Sequence, residues 1–273
     1  MQAFFERQGV RLSYYVDDFT DPWNDAPTII MLHGAMANAR RFYSWVPGLC
    51  RDYRVVRLDL RGHGDSPVPG TDQELSISVL VDDVVALMDH LNCKAAHFVG
   101  NSAGGYVAQH LAMNFPDRAL SLALFGSAPG LKNSQAASWI PMVQAKGLRQ
   151  FLADTIDDRF PPELAGSAHA ENFLDELGNN DVNYIGKFVG YMATQEWADS
   201  VHRILCPTLV VVPGAGKIGS ADVYKPFRER LPQGEVLVYD GERHSICEYL
   251  WDRCVADLRS FLLRHRFHHA KVL

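Results

Sequence analysis

The 273-residue chain is long enough for one large domain, or for a core carrying a modest insertion, around a sizeable apolar interior. Its 26 Lys and Arg stand against 32 Asp and Glu, a net charge of -6 that leaves no electrostatic footprint for nucleic acid and argues against polyanionic partners. The five cysteines (Cys50, Cys93, Cys206, Cys247 and Cys254) are odd in number and hold no C-x-x-C pair, which argues against a disulfide framework and a zinc site and leaves reduced, mostly buried thiols as the expectation.

Met1-Gln2-Ala3-Phe4-Phe5-Glu6-Arg7 lacks the basic-then-apolar layout of a signal peptide, and no apolar run approaches the roughly 20 residues that span a bilayer, so a cytoplasmic protein without a membrane segment is expected. Short runs rich in β-branched residues then alternate with stretches of helical period, the pattern of a mostly parallel sheet with helices on both faces. Strands are expected at 28–32, ending in His33-Gly34, and at 53–59, running into Leu60-Arg61-Gly62-His63-Gly64, whose glycines mark a tight turn. Residues 76–91 carry Ile77, Leu80, Val81, Val84, Val85, Leu87 and Met88 at helical spacing. The strand at 95–99 leads through Gly100-Asn101-Ser102-Ala103-Gly104 into a helix stopped near Pro116. Further strands are expected at 120–125, 207–212 and 235–239, and a closing helix at 255–263. Between them the strand signal disappears, and an aromatic, methionine-bearing helical stretch reads as an inserted cap. The core is thus expected at 1–127 and 201–273 and the cap at 128–200. Most of the cap's aromatics are expected to form its own interior, with a minority facing a ligand.

A serine hydroxyl attacks a carbonyl at neutral pH only if it is exposed, partnered by a base and set beside donors for the developing oxyanion. Small residues two before and two after Ser102 allow a strand to turn sharply into a helix with the side chain at the apex. The expected oxyanion donors are the backbone N–H groups of Ala103 and of Ala35, in the loop His33-Gly34-Ala35-Met36. Of eleven histidines, His244 alone follows the final strand on a loop returning over the sheet, which fits a general base. His33 and His63 read as structural, and the His265, His268, His269 group as a frayed basic tail.

Through His33-Gly34-Ala35, Asp59-Leu60-Arg61-Gly62-His63-Gly64-Asp65-Ser66, the serine turn and the His244 loop, the chain resembles the α/β-hydrolase superfamily over about residues 9–264. It is similar in particular to 3-oxoadipate enol-lactonase-like hydrolases. The resemblance implies ester, lactone or related carbonyl chemistry, and the aromatic cap suggests a small, partly apolar substrate; no metal or organic cofactor, nucleic-acid or membrane partner is expected, and a homodimer is left open. Members usually carry an aspartate after the strand matching 207–212, but this chain reads Pro213-Gly214-Ala215-Gly216-Lys217-Ile218-Gly219 there, and Phe125-Gly126-Ser127-Ala128 leaves the alternative slot empty. The remaining candidates for the acid are Asp222, a little further along the same connection, and Asp240 or Glu242 beside the histidine. The missing acid keeps open two other readings, a cofactor-free dioxygenase of the same fold and a non-catalytic small-molecule receptor.

Overall fold

A computed structural model describes residues 1–132, 135–215, 218 and 221–265. The chain opens with strands β1 (Gln2–Arg7) and β2 (Val10–Asp17), joined by Gln8-Gly9 with φ of 50° and 75°. Two positive φ values in a two-residue loop make a hairpin whose twist suits the flanking strands. This hairpin had no counterpart in the sequence reading. Only Phe5 of β1 is buried, so no continuous apolar run or clean alternation marks that strand.

Strands β3 (Thr28–Leu32) and β4 (Arg54–Leu58) precede helix α1 (Ile77–His90), then β5 (Ala96–Asn101), α2 (Ala103–Asn114) and β6 (Ala119–Phe125). Four helices follow: α3 (Ala136–Lys146), α4 (Leu148–Asp154), α5 (Ala168–Gly178) and α6 (Val182–Met192). The chain returns through β7 (Thr208–Pro213), α7 (Lys225–Arg230), β8 (Gly234–Tyr239), α8 (Ile246–Tyr249) and α9 (Trp251–Arg264). The sheet runs β1-β2-β4-β3-β5-β6-β7-β8, antiparallel through the hairpin and its junction with β4, and parallel from β4 to β8.

Both faces of the central strands are dry, as parallel strands with helices on each side require. Ile30 and Leu32 of β3 pack with α1 and α2, whereas Ile29 and Met31 pack with α9 and the 3₁₀ stretch Ala39–Gly48. Helix α1 starts at Ser76, whose side chain accepts from the Val79 N–H, and buries Ile77, Leu80, Val81, Val84, Leu87 and Met88 along one stripe. Each such side chain contributes about 1.5–3 kcal/mol of burial. Between β6 and β7, Phe151, Phe160 and Phe173 join Ile185 and Val189 in a separate apolar cluster that also takes in Met36. Four of the five cysteines are buried and Cys206 is half-buried. Among the described residues no helix is long and apolar enough to cross a membrane. His268 and His269 lie outside the described residues.

Candidate active site

Ser102 joins β5 to α2 with φ 48° and ψ -120°, a backbone conformation that costs a β-carbon-bearing residue energy and persists only when its surroundings over-determine it. Those surroundings are visible. The Ser102 N–H donates to Phe125 O (3.1 Å), while the Ser102 carbonyl accepts from the Ser127 hydroxyl (2.8 Å) and the Gly105 N–H (3.0 Å). The Asn101 amide nitrogen donates to the same Phe125 carbonyl at 2.9 Å. A methyl group on Gly104 would lie 2.1 Å from Leu32 O and 2.4 Å from His33 O, and one on Gly100 would lie 2.3 Å from the Gly105 Cα. These are backbone atoms that cannot swing aside, so glycine at both positions lets α2 lean directly on the ends of β3 and β5.

That close approach sets the N-terminus of α2 beside the loop after β3. Neither the Ala103 nor the Ala35 N–H is spent on another hydrogen bond among the described residues. His33, fully buried, holds the loop: its Nε2 accepts from the Leu60 N–H (3.0 Å), so Nδ1 carries the proton and donates to Gly34 O (2.8 Å). His63 Nδ1–H donates to Arg61 O (2.9 Å), and burial pushes its pKa down to about 4, consistent with a structural neutral imidazole.

His244 stands on the loop after β8, and this loop is fastened to the helical segment by His244 N–H to Asp158 O (3.5 Å) and Ser245 N–H to Arg159 O (3.0 Å). Its ring lies against Gly126, where an added Cβ would sit 3.5 Å from Nδ1. Nδ1 is buried and has no hydrogen-bond partner among the described residues. Asp222, expected as the orienting acid, is instead exposed on the 3₁₀ turn Ala221–Tyr224 and makes no bond to His244. Asp240 is exposed, and Glu242 accepts from the Tyr249 hydroxyl at 3.1 Å. The same connection turns Tyr224 inward, where it lines the cavity with His244, and leaves the neighbouring Asp222 on the surface.

Burial first, then the charges of Arg41 and Arg159, push the His244 pKa from 6.5 down to about 3. Between those two values the unfolded chain binds a proton that the folded chain refuses. Stability therefore rises with pH across this window and is lost as pH falls from about 6.5 toward 3. His63 acts in the same direction, so the contribution of His244 is read by difference. Urea unfolding at stepped pH should show a wild-type slope steeper than that of His244→Ala by about 1.4 kcal/mol per pH unit within the window. Equal slopes would contradict the buried, neutral imidazole.

Ser102 and His244 are not hydrogen-bonded to each other here, but together they line two adjoining chambers. One, of about 110 Å³, is walled by Tyr106, Ala128, Leu131, Trp139 and Tyr224. The other, of about 60 Å³, runs past Ala35 and Met36 to Arg41, Arg159 and Ser245. Ser102, His244 and Ala35 are thus brought to one place, with Ala103 opening the helix behind the serine. Trp139 is the aromatic of the helical segment that faces both chambers. Arg41, Arg159 and Glu248 escaped the sequence reading, because no local pattern distinguishes a buried arginine from a solvated one.

Residues 27–177 match the family model described as alpha/beta hydrolase fold. The chain is 31% identical over 234 residues to a pimeloyl-[acyl-carrier protein] methyl ester esterase of Aeromonas hydrophila, covering 82% of this chain and 90% of the relative. It is 28% identical over 251 residues to 3-oxoadipate enol-lactonase 1 of Acinetobacter baylyi, covering 89% and 90%. The enol-lactonase structure from Burkholderia xenovorans superposes with a TM-score of 0.86 at 21% identity, covering 96% of this chain and all of that one, a likeness of fold. Strand order, serine turn and family match agree, and the chain belongs to the α/β-hydrolase family.

Proposed function

We propose that this α/β-hydrolase cleaves small carboxylic esters or lactones through Ser102 as nucleophile and His244 as general base, with residues 128–200 acting as a cap over the reacting groups. The observation that carries this reading is Ser102 itself, held at a strained φ at the start of α2 and sharing its cavity with a neutral imidazole. Similarity to proteins named as a methyl ester esterase and an enol-lactonase supports ester or lactone chemistry.

In the proposed sequence, His244 takes the Ser102 proton as Oγ attacks the carbonyl carbon. The oxyanion forms within reach of the Ala35 and Ala103 N–H groups, where the helix end also favours negative charge. Collapse of the adduct expels the alcohol oxygen, which receives the proton from His244, and water then repeats the attack on the acyl-serine. With Nδ1 unpartnered, nothing among the described residues shares the imidazolium charge, so turnover of neutral esters is expected to be slow.

The test is reaction with a fluorophosphonate, followed by peptide mass spectrometry. One adduct per chain on the peptide containing Ser102 is expected. A wild-type protein that stays unmodified under conditions that label a control serine hydrolase would overturn the reading.

A further inference from the structure

Among the described residues three arginines are buried, and two of them grip an aspartate. Arg57 pairs with Asp17 (2.7 Å), and Arg61 with Asp83. The third, Arg159, is 6% exposed and sits in the wall of the chamber that holds Ser102, His244 and Ala35. Its Nη1 donates to Thr155 O (2.9 Å) and Thr155 Oγ1 (2.6 Å), and its plane is flanked by the rings of Phe151 (5.5 Å) and Trp139 (5.9 Å). Nε and Nη2 have no hydrogen-bond partner, and no carboxylate lies in ion-pair contact with the group, among the described residues.

The neighbouring cation does not share this condition. Arg41, which lines the same chamber and is also buried by its side chain, closes on the buried carboxylate of Glu248 at 2.5 Å. Asp158 and Glu248 attract Arg159 from beyond contact distance while Arg41 repels it, and burial dominates, lowering its pKa to about 10. A buried charge is costly unless paired, and a guanidinium with one free edge presents two parallel donors that match a carboxylate.

We propose that Arg159 anchors a free carboxylate of the substrate, so that the esters or lactones opened at Ser102 are those of dicarboxylic or otherwise acid-bearing acyl compounds. This rests on the Ser102 hydrolase reading. The anion completes the pairing that the chain leaves open at Arg159. It also offsets the positive field that Arg41 and Arg159 cast on His244, so the substrate brings part of the negative charge that an orienting acid would otherwise supply. The backbone bond from Ser245 N–H to Arg159 O ties the anchor to the loop of the base, which fixes the spacing between the carboxylate and the reacting carbonyl.

The experiment compares monophenyl adipate with methyl phenyl adipate, which differ only in whether the distal acid is free or capped, as substrates of the wild type, Arg159→Gln and Arg159→Lys. Fluorophosphonate labelling of the wild type is run alongside, with and without free adipate. The wild type is expected to favour the free acid by about 100-fold in kcat/KM, the scale of a desolvated charge pair. That ratio should fall close to one in Arg159→Gln and be partly kept in Arg159→Lys, and millimolar adipate should slow labelling. Equal rates for the two esters in the wild type, or a preference that survives in Arg159→Gln, would overturn the anchor while leaving the Ser102 reading intact. If Arg159→Gln fails to fold, wild-type protection by adipate decides, and its absence overturns the anchor. Absence of wild-type labelling overturns the Ser102 reading instead.

Discussion

Alanine at Ser102 or at His244 should each lower kcat by about 10²-fold or more, and the double variant should be no slower than either single one. The size follows from the unpartnered Nδ1. In a complete triad, loss of the serine or the histidine costs roughly 2 × 10⁶, and loss of the acid alone roughly 3 × 10⁴, so the acid carries most of the logarithm. With no acid paired to His244 among the described residues, about two decades are left for the serine and histidine to lose. In the proposed mechanism the remaining acceleration would come from the Ala35 and Ala103 amides and from binding, which the substitutions leave in place.

An acid-bearing ester should show the larger fall, because its carboxylate restores charge balance around His244 only while the imidazole is present. Steady-state kinetics on the wild type and the three variants at matched protein concentration measures this. A double variant much slower than both single ones would mean that the two residues act independently, contrary to a nucleophile and its base.

The largest expected loss of stability comes from Asp83→Ala, at about 3–5 kcal/mol. Asp83 projects from α1 into the core, where its carboxylate takes Nε and Nη2 of Arg61, the latter at 2.8 Å, and Nη1 of Arg7 at 2.9 Å. The Arg61 and Asp83 side chains are 1% and 2% exposed. Truncation at Asp83 leaves Arg7 its second contact with Asp82, but strands the Arg61 guanidinium without a counter-charge. It is that stranded charge, rather than the worth of the pair, which sets the cost. Converting both residues, as in Arg61→Met with Asp83→Leu, should recover most of the loss in urea denaturation. A cost of Asp83→Ala below about 1 kcal/mol would show that water reaches Arg61, against its burial.

The turn after β4 that Arg61 anchors is also where His63 packs on His33, with ring centroids 5.2 Å apart, and His33 in turn holds the loop of Ala35. An ion pair remote from the cavity thereby supports the position of the loop that carries Ala35. Asp83 sits at a position of α1 where helical spacing points a side chain inward, yet charge alone would have placed it outside.

Ser102 was legible because everything that positions it is local. A run of apolar residues makes β5, small residues at 100 and 104 permit the sharp bend, and helical spacing resumes at once in α2, so the pattern of some twenty neighbouring residues already specifies the turn. His244 was legible by order alone, as the histidine after the last strand. The β1–β2 hairpin was not, since an edge strand with one buried residue has no hydrophobic signature. The direction of the His244 ring toward Gly126, the isolation of Asp222 and the enclosure of Arg159 beside the serine were decided only in three dimensions. Each depends on how the helical segment and two distant loops settle over the sheet, and burial of a polar group is a property of that assembly, not of the residues adjacent to it in the chain.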